Sequence, residues 1–340
     1  MKDKINEVIR RIQYLLPEVE VVLQQVSKNN DVIKMGVMLK SKDNNIAPVF
    51  YLDDMMEQGW SYDRIAMDIC RSYQEHDGAE YSSITSQISD YETMSQMLTL
   101  QLINRTMNKS LLADIPYVPF LEDLAVIVLI NLEKDLRACA TVKVSSQILK
   151  LWGVSFEEVY HKAYLNLIKE EAIVSSMSDV LSELGYEEIG ELDINLYILT
   201  NESRIHGATM MLRESLLKEL TEKFNSDLVV IPSSIHELLL VPTNDSYFFD
   251  KDMFDNMVQE VNKSQVDPVE ILSDHIYLYR RDGGWYNFNL ECSFERRKHM
   301  SKKNGKKRGT LGILLDVILT CCTGGLWLIW ILIRYLRNNS

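Results

Sequence analysis

Apolar positions in the first twenty residues recur at intervals of three and four: Ile5, Val8, Ile9, Ile12, Leu15 and Leu16. That spacing puts them on one face and predicts an amphipathic helix. Two β-rich runs follow, 19–25 and 32–39, around Asn29-Asn30, which is a hairpin signal. Residues 46–52 predict a third strand, with Pro48 marking a sheet edge. Ser61 caps a predicted helix to about residue 75 that carries Ile65, Ile69 and Tyr73 on one face.

Further along, 97–104 alternates as a strand, and 109–115 reads as a short helix ended by Pro116. Residues 124–133, LAVIVLINLE, are almost continuously apolar and predict a central strand buried on both faces, with 136–144 as its partner. A short helix to Trp152-Gly153 comes next. Ser155 and Glu158 then form a capping box for a helix to about 171, striped by Phe156, Val159, Ala163 and Leu167. Residues 196–201 and 205–212 predict a second strand pair, followed by a helix over 214–224. A third pair, 228–231 and 237–241, is joined by Pro232-Ser233-Ser234-Ile235-His236. After a helix over 251–261, a last hairpin of 276–280 and 285–289 turns at Arg281-Asp282-Gly283-Gly284.

Antiparallel strand pairs, each followed by helices, define an α+β class, in one large unit or two abutting subdomains that would divide near 105–120. Neither G-x-G-x-x-G nor a P-loop occurs, which excludes the doubly wound nucleotide-binding folds. A faint internal echo relates 124–131 and 139–141 to 196–201 and 207–209, at a level that chance similarity explains as well as duplication does.

Charge divides the chain more sharply than hydropathy does. The formal net charge of −13 averages two opposed parts. Residues 296–340 hold ten Lys/Arg and the single acid Asp316, a net of +9. The other 26 basic and 48 acidic residues leave residues 1–295 at −22. So acidic a body repels phosphate backbones, and no nucleic-acid partner is expected.

Residues 309–333, GTLGILLDVILTCCTGGLWLIWILI, form the strongest signal in the chain. As a helix they span about 37 Å, enough to cross a hydrocarbon core of about 30 Å with tilt. The expected organisation is an acidic domain over 1–295, a basic linker over 296–308, a transmembrane helix over 309–335 and a tail of 336–340. Gly324-Gly325 leaves a re-entrant hairpin as the alternative, and length favours the single span. Eight Lys/Arg precede the segment and two follow it, so the positive-inside rule puts the body on the cytoplasmic side of a cell membrane. Lys302, Lys303, Lys306, Lys307 and Arg308 are then placed to face anionic lipid. Asp316 sits two turns into the segment and reads as a solvated acid near the interface. The five cysteines show no even framework and no C-x-x-C pair, as in a reducing compartment, and no metal site or cofactor is expected.

Five stretches carry a resemblance: 26–32 (VSKNNDV), 151–160 (LWGVSFEEVY), 197–208 (YILTNESRIHGA), 227–237 (DLVVIPSSIHE) and 265–274 (QVDPVEILSD). Falling in this order over about residues 1–290, they resemble a bacterial, mainly Gram-positive, family known only as a domain of unknown function. The resemblance implies no catalytic residues, and the apolar tail lies outside it.

The candidate chemistry gathers in two loops. Ser233, Ser234, His236 and Glu237 put a hydroxyl, an imidazole and a carboxylate within five residues. A nucleophilic triad needs three side chains converging in space, whereas a tight connection after Pro232 uses its Ser hydroxyls on local backbone. Asn201, Arg204 and His206 lie between two predicted strands and would meet His236 if the two strand pairs share a sheet, which would make a small-molecule or peptide pocket. Two functions follow as expectations. The first is a membrane-anchored binding module with an unknown protein or small-molecule partner. The second is a membrane-tethered hydrolase or transferase using the His206/His236 region.

Overall fold

The computed structural model describes residues 2–40, 49–75, 88–132, 141–183, 195–243 and 251–286. The architecture is α+β, and every strand pairing in it is antiparallel.

The N-terminal elements build their own core. Helix α1 (Lys2–Leu15) turns Ile5, Val8 and Ile12 inward, with Leu16 just beyond it, against Ile65, Ala66 and Ile69 of α3 (Tyr62–Glu75). Both helices lie on a three-stranded sheet, β1 (Glu20–Ser27), β2 (Ile33–Lys40) and β3 (Val49–Tyr51), which contributes Val37 and Leu39. Strand β3 is an edge, as Pro48 implied, although residues 41–48 lie outside the described residues. The short α2 (Leu52–Glu57) leads from β3 toward α3 and buries Leu52 in the same core.

A second core lies between two larger sheets. In the first, β6 (Leu124–Asn131) is flanked by β4 (Leu98–Asn104) on one side and by the short β5 (Val118–Phe120) and β7 (Thr141–Lys143) on the other. The continuous apolar run of β6 is explained by its two buried faces. Leu124, Val126, Val128 and Ile130 point into the main core, while Ala125, Ile127 and Leu129 pack with Ile103 and Ile115 on the other side. Each of the buried Leu, Ile and Val side chains contributes about 1.5–3 kcal/mol over an exposed one. The helices α4 (Tyr91–Ser95) and α5 (Lys109–Asp114) border β4.

The second sheet has six strands in the order β13-β12-β10-β11-β9-β8. These are β8 (Ala172–Ser176), β9 (Tyr197–Asn201), β10 (Asp227–Pro232), β11 (Leu238–Thr243), β12 (Tyr277–Tyr279) and β13 (Trp285–Tyr286). Leu199, Leu228, Val230, Leu238 and Leu240 face the main core together with α7 (Phe156–Leu167) and α9 (Glu214–Phe224). The outer face is covered by α8 (Met177–Glu183) over Ile198 and Leu239, and by α10 (Lys251–Gln265) over Val229 and Ile276. Helix α6 (Ser146–Trp152) ends at Gly153 in the left-handed conformation (φ 69°), and Ser155 then caps α7 by accepting from Glu158 N–H at 3.2 Å.

Two expectations need correction. Residues 205–212 do not form a strand; Gly207–Leu212 is a short 3-10 stretch. Strand β9 is central, its two edges taken by β8 and β11, so no place remains beside it for a third partner. The partner on the far edge, β8, falls where the helical pattern had just run out: α7 ends at Leu167, not near 171. In the stretches 139–141 and 207–209, which echo one another in sequence, Thr141–Lys143 is a strand and Gly207–Leu212 is not. Among the described residues no helix is long and apolar enough to cross a membrane. The segment 309–335, Asp316 and the basic residues Lys302, Lys303, Lys306, Lys307 and Arg308 lie outside the described residues.

Helix α10 is tied to the start of β12 by Asp255, which accepts from Lys251 Nζ and from Ile276 N–H (2.9 Å) and meets His275 Nδ1 at 3.0 Å. The bond to Asp255 raises the His275 pKa against the opposing effect of burial. Burial pushes Asp255 up, but the bonds from His275, Lys251 and Ile276 outweigh it and hold the carboxyl below its ordinary value. A raised His pKa stabilises the fold below its unfolded value and stops doing so as pH rises through the folded value. A lowered Asp pKa stabilises above its unfolded value and stops as pH falls. Thermal midpoints measured between about pH 6 and 8 should therefore fall more in the wild type than in His275→Gln.

Candidate functional site

Strand β9 ends in Thr200 and Asn201, both buried at 6% exposure, and the chain must then reverse. It does so through Arg204 and His206, which adopt left-handed φ of 55° and 54°. Such values are unusual outside Gly and Asn and mark a tightly specified turn. Asn201 accepts from Arg204 N–H on its main-chain oxygen at 3.1 Å, and its side-chain amide donates to Ile205 O at 3.0 Å. Gly207 then passes close against Thr200 and the His236 carbonyl.

The β10–β11 connection supplies the opposite wall. Ser234 Oγ accepts from the His236 main-chain N–H at 3.0 Å, and Ser233 Oγ donates to Glu237 Oε1 at 3.4 Å. Both hydroxyls thus serve local bonds; neither contact is the serine–imidazole bond that a nucleophile needs. Because β9 and β11 are neighbours, the two loops do meet. Thr200 Oγ1 donates to His236 O (2.8 Å), and the His206 main-chain N–H donates to His236 Nδ1 (3.1 Å). The two imidazole rings stack with centroids 5.7 Å apart and planes 10° apart.

That last hydrogen bond fixes the chemistry of His236. An Nδ1 that accepts leaves the proton of the neutral ring on Nε2. Nε2 lies 3.9 Å from Glu270 Oε1, with both side chains 16% exposed. The gap is too long for a direct hydrogen bond and short enough for an ion pair once the ring is protonated. His206 behaves differently. Burial, aided by the charge of Lys143, lowers its pKa to about 4, so it is neutral near pH 7. Lys143 is itself lowered, by burial first and by the nearby charge of Lys28 second.

A second polar group adjoins the turn. Asn201 Nδ2 donates to Glu170 Oε2 at 3.1 Å, and Arg213 Nη1 donates to Glu170 O at 2.8 Å. Burial pushes the Glu170 carboxyl up, against the Asn201 bond and the Arg213 charge. With both amide hydrogens of Asn201 committed, its Oδ1 is fixed facing away, buried and without a hydrogen-bond partner; Arg213 Nε is likewise orphaned.

Of the residues expected from the sequence, Asn201, His206, Ser233, Ser234, His236 and Glu237 thus come together, while Arg204 is exposed at the rim. Glu270, Thr200, Gly207, Glu170, Arg213 and Lys143 were not singled out. Glu270 lies inside the 265–274 stretch, but nothing local shows which carboxylate meets a ring 34 positions away. Among the described residues no three His, Cys, Asp or Glu side chains are grouped so that they could hold a metal ion.

A family model described as "Family of unknown function (DUF5688)" matches residues 1–281. No curated protein and no solved structure matches the chain.

Proposed function

We propose that this chain, which belongs to the DUF5688 family of unknown function, is a membrane-anchored binding module. Its recognition centre is the His206–His236–Glu270 site. One observation carries the reading: main-chain bonds, not a catalytic chain, set the polar groups. His236 Nδ1 is occupied by the His206 N–H, the two serines serve their own connection, and His206 has a pKa of about 4, too low for a base near pH 7. Groups so fixed supply orientation and specificity for a protein or small-molecule partner. The anchor rests on 309–335, with the body on the cytoplasmic face and Lys302, Lys303, Lys306, Lys307 and Arg308 against anionic lipid. The −22 charge of residues 1–295 favours basic partners over acidic ones.

A second reading has its own observation. The His236–Glu270 pair, with a Glu170 carboxyl raised by burial on the Asn201 side of the same turn, offers acid–base groups of the kind a hydrolase or transferase would use. A photocrosslinking amino acid at exposed Arg204, in the intact chain in membranes, separates the two. The binding reading expects a discrete adduct that disappears in His236→Ala. Adducts no different from those of a probe at exposed Glu157, together with turnover of ester or phosphoester substrates that His236→Ala abolishes, would replace it with the enzyme reading.

A further inference from the structure

Residues 266–273 run between α10 and β12 outside any helix or strand, so their carbonyls have no ladder to satisfy them. From Pro268 to Ser273 six consecutive carbonyls are nonetheless bonded. Asn30 Nδ2 donates to Pro268 O at 2.7 Å and to Ile271 O at 2.8 Å, and Asn29 Nδ2 donates to Val269 O at 2.8 Å. Asn104 Nδ2 reaches Leu272 O at 3.1 Å, and Asn262 Nδ2 reaches Ser273 O at 3.0 Å. Glu270 O takes the remaining donor, the Ile235 N–H, at 2.9 Å. Five of the six carbonyls are therefore held by asparagine side-chain amides, and the sixth by the residue next to His236.

The Asn29-Asn30 turn is itself fixed from outside. Asn30 has φ 61°, its N–H donates to Asn108 Oδ1 at 2.8 Å, and its Oδ1 accepts from Asn108 Nδ2 at 2.9 Å. Asp31 Oδ2 accepts from Ser110 N–H at 3.0 Å, capping a helix whose own Asn108 makes no side-chain cap. The N-terminal sheet thus reaches the second core through a three-residue, hydrogen-bonded clasp. The clasp grips one side of the strap that carries Glu270 on the other. We infer that Asn30 is a positioning residue, holding the 268–271 strap so that the Glu270 carboxylate stands at His236 Nε2. This rests on the binding-site reading above and adds to it that the N-terminal unit sets the site's electrostatics.

The groups that meet the His236 ring include Glu270 from the strap and the His206 ring from the β9 turn, with Lys143 acting on His206. The test follows the His236 ring by NMR in the full chain in detergent, with labelled histidine assigned through His236→Gln. Glu270→Gln should lower the His236 titration midpoint by about 1 pH unit, since it removes an opposing charge at ion-pair distance. Asn30→Ala should move it the same way, and the double variant should fall no further than Glu270→Gln alone. An Asn30→Ala protein that melts earlier but keeps the wild-type midpoint, with Glu270→Gln shifted, overturns the inference and leaves the site reading standing. A midpoint unmoved by Glu270→Gln overturns both. If Asn30→Ala does not fold, Asn29→Ala, which removes only the bond to Val269 O, is read by the same outcomes.

Discussion

Replacing Asp123 by Ala will cost about 3–5 kcal/mol of stability. Asp123 is 8% exposed and accepts three side-chain hydrogen bonds: Tyr277 OH at 2.6 Å, Ser273 Oγ at 2.7 Å and Asn104 Nδ2 at 3.1 Å. Its own carbonyl accepts from Arg105 N–H at 2.6 Å. The donors come from the end of β4, from the strap and from β12, so this one carboxylate joins both large sheets. Truncation removes the acceptor of the Tyr277 and Ser273 hydroxyls and of one Asn104 amide hydrogen, the other keeping Leu272 O, and each buried donor left unpaired costs about 1–3 kcal/mol where water does not reach it. Burial and the Asp123 charge push the Tyr277 hydroxyl well above its ordinary pKa, so it stays a donor. Tyr277→Phe should therefore cost only about 1–2 kcal/mol, because the carboxylate keeps its other partners. Urea denaturation of the three proteins measures the ordering. Equal losses for Asp123→Ala and Tyr277→Phe would show that the three bonds do not act through the carboxylate.

Much of this fold was legible because local signals and tertiary demands agree. The unbroken apolar run of β6 required two buried faces, and both exist. The Asn29-Asn30 turn, the Ser61 and Ser155 caps and the Arg281–Gly284 turn are local chemistry, readable in a few residues. Where the reading failed, the deciding partner was remote. Residues 205–212 carry enough apolar side chains for a strand, but whether an edge of β9 is free depends on β8 and β11, far off in the chain. The site was legible in the same measure. His206 and His236 were visible as residue types beside strand ends, whereas Glu270 depends on a strap without periodicity. The amides that hold that strap, Asn30, Asn104 and Asn262, look like turn or surface residues in the sequence. Side chains that satisfy an irregular backbone follow no spacing rule, so nothing short of the assembled structure reveals them.

Gly207→Ala should destabilise the chain by about 3 kcal/mol, at the upper end of what overpacking costs, and should disrupt the candidate site at the same time. There is no room for a side chain at this position. A Cβ at 207 would lie 2.9 Å from Asn201 N and still closer to Thr200 Oγ1 and the His236 carbonyl oxygen. Two of those three atoms are backbone in strand β9 or the β10–β11 connection, so no rotamer change relieves the contact. Only separation of the two loops does, and it would lengthen the bonds from Thr200 Oγ1 to His236 O and from His206 N–H to His236 Nδ1. The second bond fixes the His236 tautomer, so its loss also frees the ring from its orientation toward Glu270. Hydrogen exchange at the His206 amide should accelerate in Gly207→Ala by more than the global stability loss explains. Adding Thr200→Ala should not restore protection, because the backbone contacts remain. Restored protection in that double variant would show that the hydroxyl, not the closeness of the two main chains, makes glycine necessary at this position.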